Sequence, residues 1–186
     1  FRGPLFGDWL FSAEAFSPNP DPGGALPADF GSIAASMLAG LSDDAVATLR
    51  QIRDQEVPRF LDHLMDQIPW GQFRVVGFTT TFEQNVASFA LARRIKERFP
   101  HVITVYGGAN FDGDMGLELT RSVPVVDYAV IGEGDDALPE FLVALADGTD
   151  PLAVPGVVAR RDGAVAPPRK RPGTRQLDSN PVPDYD

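Results

Sequence analysis

The sequence predicts an α/β fold whose core is a parallel β-sheet flanked by helices. Three apolar runs typical of buried strands, FRVVGF, VITVY and VVDYAVI, are each followed by a loop rich in glycine or hydroxyl residues and then by a helical pattern. Strands that alternate with helices in this way are typical of parallel sheets. Because such strands all end at one edge of the sheet, the loops after them gather there, where open α/β sheets bind ligands.

The chain divides into an irregular segment rich in aromatic residues and proline, a helical segment, an α/β core, a β-hairpin and a linker: 1–41, 42–70, 71–150, 151–170 and 171–186. Ser42 is predicted as the N-cap of the helical segment, and Pro58 is expected to kink or divide it. Gly148 follows the last helix of the core. Asp162 and Gly163 form the dipeptide that favours a hairpin turn.

Composition and charge exclude several classes of function. The chain has 186 residues and lacks any run of about 20 apolar residues that would span a bilayer. Its net charge of −10 disfavours nucleic acid, whose phosphates require a basic surface. The basic cluster 169–171 lies between prolines, and we interpret it as a solvated linker. Since the chain begins with Phe1 and ends in PVPDYD, we expect a fragment of a longer protein. We also expect that protein to be cytoplasmic.

Metal-binding and catalytic residues are not predicted. The chain has no cysteine, which excludes disulfides, thiolate zinc sites and iron–sulfur clusters within it. His63 lies in a helical pattern and His101 in a turn, so we expect both to be surface or packing residues. No nucleophile elbow or P-loop occurs. Glu83 and Glu133 would form an acid–base pair if they faced each other, but nothing in the sequence requires this.

The three loops after the strands carry the candidate binding residues. The first, GFTTTFEQN, offers threonine hydroxyls and free backbone N–H groups, and the spacing of Thr81 and Gln84 predicts a capping box. Capping of the helix accounts for only one of the three consecutive threonines in this loop. In the second loop, Gly107 and Gly108 form either a plain tight turn or a place where a bulky ligand approaches the backbone. We favour one ligand site that the three loops form together.

The third loop, GEGDDA, also permits a different interpretation. Gly132, Gly134 and Ala137 match the variant dinucleotide pattern G-x-G-x-x-A between a strand and a helix. However, three carboxylates lie in the same loop and would repel a pyrophosphate at the helix N-terminus. A nucleotide-binding domain is therefore the weakest of the alternatives.

Two long stretches, VVGFTTTFEQNVASFALARRIKERFPHVITVYGGANFDGDMG and VDYAVIGEGDDALPEFL, resemble the cobalamin-binding domain of cobalamin-dependent radical S-adenosylmethionine (SAM) enzymes. GDWLFSAEAF and LDSNPVPDYD are similar to the subgroup that matures ribosomally made peptides (RiPPs). The resemblance implies a Rossmann-like, three-layer α/β fold with a parallel sheet. It also implies that the first strands of that sheet precede Phe1. A radical SAM domain, with its iron–sulfur cluster and S-adenosylmethionine, would follow Asp186.

The resemblance also assigns cofactor-binding residues to all three loops. By similarity, 79–85 lie near the corrin ring of cobalamin, 107–110 flank its nucleotide tail, and the third loop lines the same edge. The implied set is Thr79, Thr80, Thr81, Phe82, Gln84, Asn85, Gly107, Gly108, Ala109, Asn110, Glu133 and Gly134. The D-x-H-x-x-G motif, whose histidine ligates cobalt in many cobalamin proteins, does not occur in the chain.

These observations lead to two hypotheses from different classes. In the first, the chain is the cobalamin-binding domain of a radical SAM enzyme that modifies a precursor peptide, by methylation. In the second, it is a cofactor-free docking module for a substrate peptide or a partner, to which the acidic composition and the aromatic N-terminus would be suited.

Overall fold

The centre of the protein is a four-stranded sheet, in a computed structural model that describes residues 6–16 and 38–170. The strands lie in the order β1-β2-β3-β4; the first three are parallel, and β4 is antiparallel to β3. Their bounds are β1 Val75–Thr79, β2 Ile103–Gly107, β3 Tyr128–Val130 and β4 Val157–Val158. Thr79 lies opposite Gly107 in the register, so β1 and β2 end at the same edge.

Six α-helices are found in the described part of the chain: α1 Phe6–Ala15, α2 Asp43–Gln51, α3 Val57–Gln67, α4 Asn85–Arg98, α5 Gly113–Ser122 and α6 Gly134–Asp147. The side chain of Ser42 accepts a hydrogen bond from the Ala45 N–H at the start of α2, as predicted. Gly148 follows α6, also as predicted, and has the left-handed conformation. None of these helices has the length and apolarity of a membrane span.

The two faces of the sheet are covered by different helices. Helix α6 packs on one face, where Phe141 is fully buried among the valines of β2, β3 and β4. Helices α4 and α5 cover the other face, and Phe89 of α4 packs against Tyr106. On that face the rings of Phe78, Tyr106 and Phe111 stack in succession, with centroids 4.8 and 5.1 Å apart. The predicted α/β fold is therefore confirmed.

Helices α1 and α3 form an outer layer on α4. Leu61 of α3 packs with Ala90 of α4, and the Trp9 side chain of α1 is buried. A π-helical turn, Ile52–Glu56, separates α2 from α3, in agreement with the predicted division of this segment. The turn contains Arg53, whose guanidinium carbon lies 5.0 Å from the centroid of the Trp9 ring.

The structure differs from the sequence-based expectation at both ends of the core. Within the segment predicted to be irregular, 6–15 is helix α1, because its apolar side chains have α4 to pack against. Within the region predicted as a hairpin, Val157–Val158 pairs with β3 instead. The hairpin itself is short and consists of β5 Arg160–Arg161 and β6 Ala164–Val165. The remainder of the N-terminal segment, 17–37, and the predicted linker 171–186 lie outside the described residues.

Candidate functional site

The first two strand-ending loops are bonded to each other. Thr80, directly after β1, is completely buried, and its N–H donates to the Gly107 carbonyl over 2.9 Å. The Thr80 hydroxyl donates to the same oxygen at 3.3 Å. In return, the Thr80 carbonyl accepts from the Asn110 N–H at 3.2 Å. These bonds continue the pairing of β1 and β2 beyond the end of the sheet, so the two loops form one wall.

Gly108 permits this close approach. Its φ angle is 92°, in the region that side chains disfavour, and a Cβ atom added there would lie 2.6 Å from the Thr80 carbonyl oxygen and 2.8 Å from the Thr80 nitrogen. Such distances are far below van der Waals contact, so only glycine fits. The close approach expected from the double glycine thus exists, and the group that approaches Gly108 is the neighbouring loop.

The first loop then turns sharply into α4. Thr81 and Gln84 form the predicted capping box, with the Thr81 N–H donating to Gln84 Oε1 over 2.8 Å. Between them, Phe82 has φ 47° and a side chain that is 92% exposed. The Asn110 side-chain amide donates to the Phe82 carbonyl at 2.8 Å and to Asn85 Oδ1 at 3.1 Å. The unusual backbone of Phe82 is therefore held from both loops.

The third loop lies on the other side of the strand ends. The Ile131 N–H donates to the Gly156 carbonyl at 2.8 Å, which ties this loop to the segment before β4. Gly132 has φ 87°, and a Cβ atom added to Gly132 or Gly134 would have no heavy atom within 4 Å. Glu133 takes the N-cap position of α6, and acidic residues occupy the first turn of the helix. These carboxylates complement the helix dipole.

A cavity of about 430 Å³ opens between the third loop and the wall formed by the first two. Its lining comes from all three parallel strands, the loops after β2 and β3 and the first turns of α6: Gly77, Phe78, Thr79, Val105, Tyr106, Gly107, Gly108, Val130, Gly132, Gly134 and Leu138. Most of the exposed lining is apolar. The cavity lies at the carboxyl edge of the sheet, where the sequence predicted a ligand site.

The predicted site residues fall into three groups. Four of them line the cavity: Thr79, Gly107, Gly108 and Gly134. Thr80 is completely buried and is not among the lining residues. The remaining seven are not among the lining residues and lie in the surrounding loops or, in the case of Asn85, at the start of α4: Thr81, Phe82, Gln84, Asn85, Ala109, Asn110 and Glu133.

Sequence reasoning missed five lining residues that lie within the strands: Gly77, Phe78, Val105, Tyr106 and Val130. Gly77 is exposed in the middle of β1, and a glycine inside a strand often marks a place where a ligand or another backbone approaches closely. That signal was present in the sequence. The contribution of Leu138 had no comparable signal, since its exposure depends on how α6 lies across the sheet.

The chemistry of the cavity is that of a binding site. Of the lining residues in the described part of the chain, none carries a charged side chain. Tyr106 is nearly buried, and burial together with the charge of Asp127 raises the pKa of its phenol far above the ordinary value. The Tyr106 hydroxyl therefore stays protonated and donates to the Ser88 carbonyl at 3.2 Å. Within 6–16 and 38–170, no cluster of three or more metal-ligating side chains was found.

Three longer proteins are similar to this chain. An uncharacterized methyltransferase of Pyrococcus horikoshii is 24% identical over 144 residues, covering 73% of this chain and 31% of that protein. The cobalamin-dependent radical SAM methyltransferase TokK of Streptomyces tokunonensis is 39% identical over 84 residues, 44% of this chain and 12% of TokK. The anaerobic magnesium-protoporphyrin IX monomethyl ester cyclase of Synechocystis is 27% identical over 107 residues, 58% of this chain and 21% of the cyclase. The chain thus spans less than a third of the length of each relative.

The family model described as the B12 binding domain matches residues 23–142, well over half of the chain. The matched range contains all three loops and every residue that lines the cavity. The sequence resemblance to cobalamin-binding domains is thereby confirmed, and the chain belongs to the B12-binding-domain family.

Proposed function

We propose that this chain holds cobalamin at the cavity on the carboxyl edge of its sheet, as one domain of a larger radical SAM methyltransferase. The observation that carries the proposal is the cavity itself, which lies inside the family match and is bounded by the ends of three parallel strands. Open parallel sheets bind their ligands at this edge.

The residues around the cavity fit part of a large, mostly uncharged ring. The lining is apolar, and Gly132 and Gly134 leave room for a ligand to approach the backbone. A volume of about 430 Å³ is within the range of small-ligand pockets. Cobalamin is larger than such ligands, so the cavity would receive one portion of it and the rest would lie over the surrounding loops.

The chain would contribute binding and orientation. Thr79, Gly107 and Gly108 would contact the cofactor on one side, and Gly134 on the other; the remaining predicted residues would form the rim. When bound, cobalamin supplies a cobalt centre that can carry a methyl group. The wall made by the first two loops would fix its position, because that wall is held by backbone hydrogen bonds.

The other parts of the reaction belong to a separate domain in this proposal. The chain has no cysteine with which to hold an iron–sulfur cluster, so the cluster and S-adenosylmethionine would bind in a radical SAM domain that partners this one. The predicted role of 171–186 as a connector to that domain is part of the same proposal. A precursor peptide as substrate is supported by the similarity of GDWLFSAEAF and LDSNPVPDYD to the RiPP subgroup.

Cofactor binding can be tested by mixing the chain, or a longer protein that contains it, with hydroxocobalamin and removing free ligand on a desalting column. We expect the protein fraction to retain a corrin absorption spectrum, shifted from that of the free cofactor. NADH and FAD serve as comparison ligands and should not be retained. A protein that is folded by circular dichroism yet elutes without corrin would contradict the proposal.

The docking-module alternative is less well supported. It drew on the acidic composition and the aromatic N-terminus, and in that N-terminus Trp9 of α1 is 7% exposed and is used in packing. Binding of a precursor peptide by a chain that retains no corrin, lost on removing residues 1–16, would favour this alternative.

A further inference from the structure

Helix α6 has apolar side chains on both of its faces. The face toward the sheet is buried and consists of Ala137, Phe141, Ala144 and Leu145. The opposite face is exposed, yet it is also apolar over most of its length; we call it the outer stripe, and it consists of Leu138, Pro139, Leu142, Val143 and Ala146. A helix that is apolar all round is normally buried on all sides.

The residues of the outer stripe form one continuous surface. Leu142 follows Leu138 by four residues, and Val143 follows Pro139 by four, so the side chains of each pair are neighbours on the helix. Leu138, Leu142 and Val143 are 39, 43 and 58% exposed. Single exposed apolar residues are ordinary on a protein surface, whereas contiguous ones mark a site of interaction.

Helix α4, on the other face of the sheet, shows how such a helix is normally completed. Its outer side is apolar too, but there Ala90 is fully buried against Val57 and Leu61 of α3. Helix α1 also packs on α4. Within 6–16 and 38–170, no element buries the outer stripe of α6 in this way. Helix α6 therefore lacks the second layer that covers α4.

The charges beside the outer stripe indicate what kind of surface would cover it. Helix α6 carries four acidic residues and no basic residue. With 3.6 residues per turn, Asp136, Glu140 and Asp147 lie along one side of the stripe, next to Val143. A second copy of the chain would bring the same acidic flank and another net charge of −10 to the interface. The stripe is better suited to a partner whose apolar residues are flanked by lysine or arginine.

The outer stripe begins at the cavity. Leu138 belongs to the stripe and also lines the cavity. A group can pass between a cofactor and a substrate only when the two are held in contact. The domain that holds the substrate must therefore reach the mouth of the cavity, and from Leu138 the rest of the stripe extends away along α6.

We propose that the outer stripe of α6 is the docking surface for the radical SAM domain of the longer protein. This inference rests on the proposed function. Apolar side chains of that domain pack on Leu142 and Val143, and its basic side chains lie beside the acidic flank. Docking along α6 holds the domain over the cavity and buries a face that the described residues leave uncovered.

Hydrogen exchange of α6, measured by mass spectrometry on the isolated chain and on a longer protein that contains both domains, tests this inference. We expect 138–147 to exchange about tenfold or more slowly in the longer protein, because docking opposes local opening of the helix. Val143→Arg places a positive charge against a basic surface, so it should return the exchange to the rate of the isolated chain. Val143→Ile retains the apolar surface and should retain the protection.

Corrin retention separates this inference from the proposed function. Val143 does not line the cavity, so the isolated Val143→Arg chain should retain hydroxocobalamin as the unmodified chain does and melt within about 2 °C of it. As a control, Phe60→Arg changes an exposed apolar residue on α3 and should leave the exchange of α6 unaltered.

The outcomes distinguish the two proposals. Equal exchange of α6 in the unmodified isolated chain and the longer protein would overturn this inference alone, whereas an unmodified chain that retains no corrin would overturn the proposed function and this inference with it. Protection of α6 that rises with the concentration of the isolated chain and is lost in Val143→Arg would also overturn the inference, because the stripe would then bind a second copy.

Discussion

Glycines in the second and third strand-ending loops have similar φ angles but opposite surroundings. Gly108 and Gly132 have φ angles of 92° and 87°. Around Gly108 the backbone of Thr80 occupies the place of a side chain, whereas around Gly132 there is no heavy atom within 4 Å of that place. A glycine with positive φ thus serves two purposes. In the second loop it allows close contact with the first loop, and in the third loop it leaves space at the cavity.

This difference can be tested most strongly with a matched pair of substitutions. Gly108→Ala should destabilise the fold by about 3 kcal/mol, from left-handed strain and from overlap with the Thr80 backbone. Gly132→Ala introduces only the left-handed backbone strain and should lower the free energy of unfolding by about 1 kcal/mol. Urea unfolding of both variants measures the two values. Equal losses would mean that the contact between the first two loops is not tight.

Gly134→Ala tests the space beside the third loop. Gly134 is the first residue of α6, its φ is not positive, and a Cβ atom there would meet nothing. We therefore expect stability to be unchanged or to rise by up to about 0.5 kcal/mol. Affinity for hydroxocobalamin should nevertheless fall, by roughly threefold to tenfold, because the methyl group enters the space proposed for the ligand. Unchanged affinity would place the cofactor elsewhere along the edge.

The smallest expected effect concerns the attachment of the first loop to α1. The Gly7 N–H donates to Glu83 Oε2 at 2.8 Å, and Asp8 lies beside it with Oδ1 buried and without a hydrogen-bond partner. Burial raises the pKa of Asp8; a hydrogen bond from the Val86 backbone opposes this, and the charge of Glu83 adds to it. The folded protein thus holds the Asp8 proton more tightly than the unfolded chain does.

Stability should therefore fall as the pH rises through the interval that begins at the ordinary Asp pKa of 3.8 and ends at the raised value. Asp8→Asn removes this titration, so its melting temperature should exceed that of the unmodified chain at pH 7 and approach it near pH 3. The gain at pH 7 is expected to stay within about 1 kcal/mol, because Asp8 is only half-buried. Calorimetric scans between these pH values measure the difference, and a constant gap would show that ionisation of Asp8 is not its cause.

The features that local sequence determines were predictable. Parallel strands end at one edge, so the meeting of the three loops followed from the repeated pattern. The Thr81–Gln84 capping box and the left-handed Gly148 also follow from residue types at fixed spacing. By contrast, the backbone of Phe82 depends on a hydrogen bond from Asn110, which is 28 residues away in sequence. Nothing local distinguishes it from the ordinary first turn of a helix.

The predicted pairing of β4, as part of a hairpin, was wrong for a similar reason. Two residues, Val157–Val158, are too few to show a pattern of their own, and their pairing with β3 is made across the chain. Helix α1 is short and lies in a segment rich in proline and glycine, so its helical state depends on packing against α4. The cavity is likewise a product of these tertiary contacts, which explains why the sequence located its edge but only part of its lining.

The outer edge of β1 bears on how the protein behaves in concentrated solution. No strand within the described residues pairs with this edge, and its sequence, VVGFT, contains neither the charge nor the proline that commonly protect edge strands. Edge-to-edge association of copies is opposed instead by mutual repulsion, since each chain carries a net charge of −10. Salt weakens that repulsion, so the colloidal stability of the isolated domain decreases as ionic strength rises.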